Sequence, residues 1–313
     1  MRRLSVQLFT EESEQIRFIE SLIDGESKEQ AIISVHGKPE VQTFPKLRPL
    51  PWQPEFIVRT VDGFKPSKTP AYEKGHIYTF DLSSAFAASL MLNCEPEPKR
   101  ILDVCSAPGG KGICAWTAFL RGKKDGMLVC NEVLRKRANL LISNIERCKL
   151  DRTEVISMDP SALSSRAKAA FDLVLVDAPC SGQSLLSKGT DPGDAFDNRN
   201  IGLCVNRQRR ILGYSWDCVA PGGYLLYMTC TFNREENEKV VNWMHRELEG
   251  IQGIESPRHV DFKSRFSEHP CYRLYPHQGI GAGAFAALFR KSGELPESYP
   301  TLDLEPLWPA SFE

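Results

Sequence analysis

From residue 100 onward the chain alternates two kinds of apolar pattern. RILDVC, MLVCNE, TEVISMD, FDLVLVDAP and GGYLLYMTCT are short apolar runs that stop at a turn or an acid. Such runs read as strands buried on both faces. Between them GKGICAWTAFL, LRKRANLLISNIERC, VNRQRRILGYSWDCVA and REENEKVVNWMHREL carry apolar residues at helical spacing. Strands alternating with helices predict βαβ units and a mostly parallel sheet, an α/β fold. GAFAALFRK reads as a late strand.

The first 95 residues are less regular. EESEQIRFIESLI predicts an amphipathic helix with apolar Ile16, Phe18, Ile19, Leu22 and Ile23. AIISV reads as a strand and PKLRPLPWQPEF as extended, proline-rich chain. SSAFAASLMLN reads as a short helix capped by Asp81 or Ser83. The expected division is a small domain over 1–95, a catalytic domain over 96–291 and a loosely packed, proline-rich tail over 292–313.

Composition narrows the class. Apolar residues make up 42% and charged ones 25%, as in ordinary soluble domains. No apolar stretch approaches the length of a membrane span, and MRRLSVQLFTEESEQ lacks a signal-peptide core. The ten cysteines include no CxxC pair and no cluster with zinc-ligand spacing. A cytoplasmic protein with reduced thiols and no metal is expected. Net charge is -1, so a polyanionic partner would have to meet local basic patches.

Candidate chemistry lies at strand ends. DVCSAPGGK is a strand–turn–helix junction whose Gly109 and Gly110 allow close approach to a ligand. It is neither GxGxxG nor a phosphate-binding P-loop. Glu132 ends the second strand, Asp159 the third and Asp177 the fourth. A carboxylate after the second strand can accept ribose hydroxyls, and one after the third an adenine amino group. The set suits adenosine without phosphates, as in S-adenosylmethionine. Helix capping or exposure to solvent is the competing role for any single acid.

Cys180 in DAPCSG and Cys230 in TCT follow the fourth and fifth strands. If those strands pair, both thiols open onto the pocket that the glycine turn borders. A thiolate there can add to carbon 6 of a pyrimidine and make carbon 5 nucleophilic enough to take a methyl group. A second thiol can take part in release, and Asp177 can stabilise the charge that builds at the base. Two small buried hydrophobes at strand ends, or a disulfide, are the alternatives.

DVCSAPGGK, CNEVLRKRANLLISNIER, DAPCSG and YMTCTFNREENE, in this order, resemble the Sun-type RNA (cytosine-5) methyltransferases, the NSUN/RsmB/RsmF group. RLYPHQGIGAGAF is similar to that family's C-terminal motif, and the likeness runs over residues 45–291. The resemblance implies a Rossmann-like class I methyltransferase domain with a mostly parallel seven-stranded sheet, plus a small α+β N-terminal domain. It implies S-adenosylmethionine as cofactor, held by Cys105, Ser106, Ala107, Pro108, Gly109, Gly110, Lys111, Glu132, Asp159 and Asp177. It implies Cys230 as nucleophile and Cys180 as the group that assists release, with Asp177 completing the catalytic set. The sequence departs from the family pattern at Gln183 and Ser184, at Phe80 and at Ala284. Each departure leaves the catalytic groups in place.

The expected partner is RNA, ribosomal or transfer, with the target base flipped out or unpaired. Residues 99–149 hold eleven Lys/Arg against four Asp/Glu. Lys111, Arg137, Arg207, Arg210 and His277 are the candidate substrate contacts, although basic helix faces are commonly just solvated. The 186–210 segment is expected to be a loop able to cover the base. A monomer is expected, with target choice resting on the small domain, the groove or a protein partner. Two other readings stay open. A DNA cytosine-5 methyltransferase would make Cys180 the nucleophile but leave the TCT cysteine unexplained. A non-catalytic RNA-binding factor would keep only a relict pocket.

Overall fold

The computed structural model describes residues 1–24 and 30–309. Two helices, α1 (Arg2–Leu8) and α2 (Glu12–Ile23), come first. Phe18 and Leu22 are buried, whereas Ile16 and Ile23 of the predicted apolar stripe face solvent. A small antiparallel sheet follows, with β1 (Gln30–Ser34) between β2 (Ile57–Arg59) and β3 (Ile77–Asp81). The short helix α3 (Pro70–Glu73) precedes β3, and α4 (Leu82–Ser89) follows it. Asp81 caps α4, its carboxylate accepting from the Ser83 amide at 2.8 Å.

The main sheet is built from β4 (Arg100–Asp103), β5 (Met127–Asn131), β6 (Thr153–Ile156), β7 (Phe171–Asp177) and β8 (Val219–Thr229), all parallel. Between them run α5 (Gly110–Ala115), α6 (Arg135–Cys148), α7 (Pro160–Arg166) and α8 (Asn198–Cys218). After α9 (Glu238–Glu247) come the antiparallel strands β9 (Ile251–Gly253), β10 (Tyr272–Leu274), β11 (Ala284–Lys291) and β12 (Trp308–Pro309). The order is β10-β11-β8-β7-β4-β5-β6-β12, with β9 also on β11. The chain leaves β4 toward β5 and β6, then returns to β7 and β8 on its other side. That reversal opens a crevice beyond the carboxyl ends of β4 and β7, where ligands of such sheets bind.

This is the mostly parallel, Rossmann-like α/β architecture that the alternating pattern predicts. Both faces are covered, which is why the strands read as continuous apolar runs. Leu173 and Leu175 of β7 enter one core with α4 and α5, and Val174 and Val176 enter the other with α8 and α9. Ala31, Ile33, Trp52 and Tyr78 join the first core, so the small sheet shares its apolar interior with the main one. Arg147 at the end of α6 donates to the Tyr72 and Ile77 carbonyls at 2.9 and 3.1 Å. Gly75 has φ +72, and a Cβ there would sit 1.6 Å from the Arg147 carbonyl oxygen. The seam between the sheets is therefore backbone against backbone.

Three sequence expectations change. Among the described residues the main sheet has nine strands, because β9 and β12 add short edge pieces to the expected seven. The tail, followed to Pro309, stays largely exposed but is tied down at points: the Leu307 amide donates to the Val155 carbonyl at 2.7 Å, and the Tyr299 hydroxyl bonds Asp172. Covering the open edge of β6 satisfies strand groups that would otherwise be unpaired. The 186–210 segment is a loop only in part. α8 begins at Asn198, where the Asp197 carboxylate accepts from the Arg199 and Asn200 amides at 2.9 and 3.0 Å.

Candidate active site at the sheet switch point

The glycine turn after β4 is held from below. The Ser106 hydroxyl donates to Asp103 Oδ2 at 2.9 Å, and Asp103 itself is fully buried. Burial raises the Asp103 carboxyl to about 7 despite the Ser106 bond. Ala107 and Pro108 are joined by a cis peptide, and Gly109 takes φ +113 before α5 begins. A Cβ on Gly112 would lie 3.1 Å from Asp103 Oδ2 and 3.2 Å from Cys130 Sγ, so the helix enters as close as a glycine permits. Cys105 is half-buried, and burial holds its thiol well above the ordinary value.

The three strand-end acids have different surroundings. Glu132 is 3% exposed. One of its oxygens accepts from the Leu134 amide at 3.0 Å; the other is buried, faces Arg137 at 3.2 Å and carries no hydrogen bond. A buried acceptor with spare lone pairs is what a ribose diol needs. Asp159 caps α7, taking the Ser161 amide and hydroxyl at 3.0 and 2.7 Å, while its second oxygen points to Arg210 at 3.4 Å. Asp177 pairs with Lys111 at 2.6 Å. Burial works against the Lys111 charge, but Asp177 outweighs it and the ammonium is held above its ordinary value. Asn131, which the sequence did not single out, joins this edge. Its amide donates to the Val104 and Met158 carbonyls, both at 3.0 Å, and accepts from the Met158 amide at 2.9 Å. Turn, Glu132 and Asp159 thus stand in the order that an adenosine with an attached amino acid would span.

β7 and β8 pair side by side, so the loops carrying the two thiols meet. Cys180 Sγ and Cys230 Sγ are 3.1 Å apart, a hydrogen-bonded pair of free thiols and not a disulfide. The Cys230 amide donates to Cys180 Sγ at 3.4 Å. The bond from Cys180 lowers the Cys230 thiol below its ordinary value, against burial and Asp177, with Lys111 helping. The same bond, together with burial, pushes Cys180 up. One sulfur is thus prepared as a thiolate and its neighbour as a thiol. Asp81, Lys111, Asp177, Ser184, Lys188 and Cys230 line a narrow cleft onto which Cys230 opens.

A buried polar clamp fixes this geometry, and sequence reasoning did not find it. Glu236 is fully buried and accepts from the Ser181 amide and hydroxyl, Gln208 Nε2 and Asn233 Nδ2 at 2.9, 2.5, 2.8 and 2.6 Å. Gln183 Oε1 accepts from the Phe232 and Asn233 amides at 2.9 and 3.0 Å. Asn237 holds Thr229 and Thr231, on either side of Cys230, at 2.6 and 2.9 Å. The one available signal was the polar run NREEN directly after an apolar strand, where a solvated helix start is the ordinary reading.

The proposed substrate contacts separate. Lys111 faces the cleft and reaches Ser84 Oγ at 3.3 Å. Arg137 donates to the Ala107 carbonyl at 2.6 Å and faces Glu132, so it braces the glycine turn. Arg210 faces Asp159, and Arg207 lies exposed on α8. His277 is buried among Phe9, Phe18 and Tyr275 beneath α1 and α2, apart from the cleft lining. Among the described residues no group of three or more His, Cys, Asp or Glu could hold a metal ion. No helix among them is long and apolar enough to cross a membrane.

Comparison with known proteins identifies a family for the chain. The family described as 16S rRNA methyltransferase RsmB/F matches residues 89–290. A protein named ribosomal RNA small subunit methyltransferase F, from Pectobacterium atrosepticum, is 28% identical over 256 residues, covering 80% of this chain and 52% of that one. Its namesake from Klebsiella pneumoniae is 33% identical over 203 residues, covering 64% and 42%. The chain therefore spans about half the length of the curated relatives it matches. Among solved structures, NSun6 from Pyrococcus horikoshii with SFG superposes with a TM-score of 0.76 at 19% identity, covering 94% of this chain and 98% of that one. A methyltransferase homolog from Pyrococcus horikoshii gives 0.75 at 23% identity, covering 92% and 93%. With the motif match spanning both thiol loops and the cofactor edge, the chain belongs to the 16S rRNA methyltransferase RsmB/F family.

Proposed function

We propose that this chain is an S-adenosylmethionine-dependent RNA cytosine-5 methyltransferase. The observation that carries the reading is the hydrogen-bonded sulfur pair at the switch point, beside the Lys111–Asp177 ion pair. Glycine turn, Glu132 and Asp159 hold the cofactor, which when bound supplies an electrophilic methyl group. Cys230, favoured as thiolate, adds to carbon 6 of a cytosine in the cleft. Electron density moves toward the ring nitrogen and carbonyl, where the Lys111 ammonium, oriented by Asp177, meets it. Carbon 5 then takes the methyl group. The carbon 5 proton passes to solvent water as the bond to Cys230 breaks and the ring double bond re-forms, and Cys180 donates a hydrogen bond to the leaving thiolate.

The names of the relatives support ribosomal RNA as the first substrate to try, with transfer RNA the second. Residues 1–95 serve as the accessory RNA-binding part, 96–291 as the catalytic domain and 292–313 as a tail closing the sheet edge. The test is transfer from labelled S-adenosylmethionine to unmodified total RNA and, in parallel, to DNA, followed by digestion to nucleosides. Label in 5-methylcytidine from RNA alone is the expected result. Label in DNA would make Cys180 the nucleophile, and cofactor binding with no transfer to either would favour a non-catalytic factor.

A further inference from the structure

Ser184 stands in the cleft wall with Cys230, and the mechanism above leaves it unused. Gly182, at φ +76, turns the chain into a 3-10 helix over Gln183–Lys188. Gln183 ties the start of this helix to the Phe232 and Asn233 amides, and the Ser184 amide donates to the Cys230 carbonyl at 3.1 Å. The Ser184 side chain is therefore carried by the same backbone contact that fixes the nucleophile. It is 1% exposed, yet its hydroxyl has no hydrogen-bond partner. A buried hydroxyl without a partner is unfavourable, and this one can rotate. Around Cys230 the titratable groups are Cys180 and Asp177 from β7 and its loop, Lys111 from α5, and Asp81 and Lys188 across the cleft.

We propose that Ser184 is a positioning residue for the nucleophile, its hydroxyl donating a hydrogen bond to the Cys230 sulfur when that sulfur carries negative charge. Cys180 and Ser184 then hold the thiolate from one segment, the chain after β7, across from the loop that carries Cys230. The direction of the Cys230 shift agrees: the Cys180 bond is its largest cause and Lys111 adds to it. The inference rests on Cys230 being the nucleophile, but it can be read without RNA.

The experiment is the pH dependence of iodoacetamide alkylation at Cys230, followed by peptide mass mapping in the full chain. Ser184→Ala and Ser184→Gly should move the midpoint to higher pH and slow alkylation at neutral pH by about tenfold. Ser184→Thr, which keeps the hydroxyl, should restore the original profile. Unchanged profiles in the Ala and Gly variants would overturn the proposal. So would a shift in all three, which would mean that only shape matters. Failure of RNA methylation with the alkylation shift intact would remove the proposed function and leave the Ser184–Cys230 coupling standing.

Discussion

Two sulfurs of one residue type are set to opposite tasks by what each touches. Cys230 faces an ammonium and is held toward the thiolate by the bond to Cys180; Cys180 is held up by that bond, by burial and by Glu236. Cys230→Ala should therefore reduce methyl transfer by at least about a thousandfold while leaving cofactor binding intact, since the cofactor edge is built from other loops. Cys180→Ala should instead accumulate a protein–RNA adduct that survives denaturing electrophoresis; an adduct with Cys230→Ala in its place would reverse the roles. Asp103 makes a separate case. Its buried carboxyl titrates near 7 in the fold, against about 4 in an unfolded chain. Between those values the folded state holds the extra proton, so this group's contribution falls as pH rises through that window and levels off above it. Asp103→Asn should raise the thermal midpoint at pH 8, with the gain shrinking toward pH 4, as a melting series would show. Cysteines and strand-end acids were legible in sequence because their chemistry follows directly on an apolar run. Gln183 and Glu236 were not, since their partners lie about fifty residues away in the chain.

At the level of elements, the alternating apolar pattern placed β4 to β8, α5, α6 and the later part of α8, and gave no helix for α7 (Pro160–Arg166). It failed where tertiary contact decides. β12 has two residues and exists because β6 offers an open edge. The first turns of α8 contain Gly202 and three asparagines, which hide a helix that the Asp197 cap starts. Ile16 and Ile23 fit an apolar stripe by spacing, yet only Phe18 and Leu22 find the pocket beneath α2 formed with Phe232 and Tyr275. The polar clamp is the element-scale counterpart of the sulfur pair, joining the loop after β7, the start of α9 and the middle of α8. Glu236→Ala removes four buried hydrogen bonds at once, leaves the Ser181 amide without its acceptor and should cost about 3 kcal/mol or more in denaturant unfolding. It should also spread the sulfurs, so that alkylation of Cys230 loses its lowered midpoint in whatever fraction stays folded. A full-strength unfolding midpoint in this variant would mean that the clamp is redundant.

The whole molecule carries almost no net charge, so the proposed hold on RNA has to come from a few placed cations and not from a long-range field. The fold sorts these cations by what else they do. Lys111 is engaged with Asp177, Arg137 with the glycine turn and Arg210 with Asp159. Arg207 is exposed on α8, whose neighbouring Gln208 contacts the Pro179 carbonyl just ahead of Cys180. That separation yields opposite expectations for two arginines that looked equivalent in sequence. Arg207→Ala should weaken RNA binding by roughly threefold to tenfold and reduce the salt slope of binding by about 0.7, the share of one single-strand phosphate, with kcat unchanged. Arg137→Ala should leave that slope alone and weaken cofactor binding instead, because the turn loses the bond to the Ala107 carbonyl. RNA titrations at several salt concentrations, paired with calorimetry of the cofactor, separate the two. If Arg207→Ala leaves the slope untouched, the RNA path avoids α8 and runs along the small sheet on the other side of the cleft.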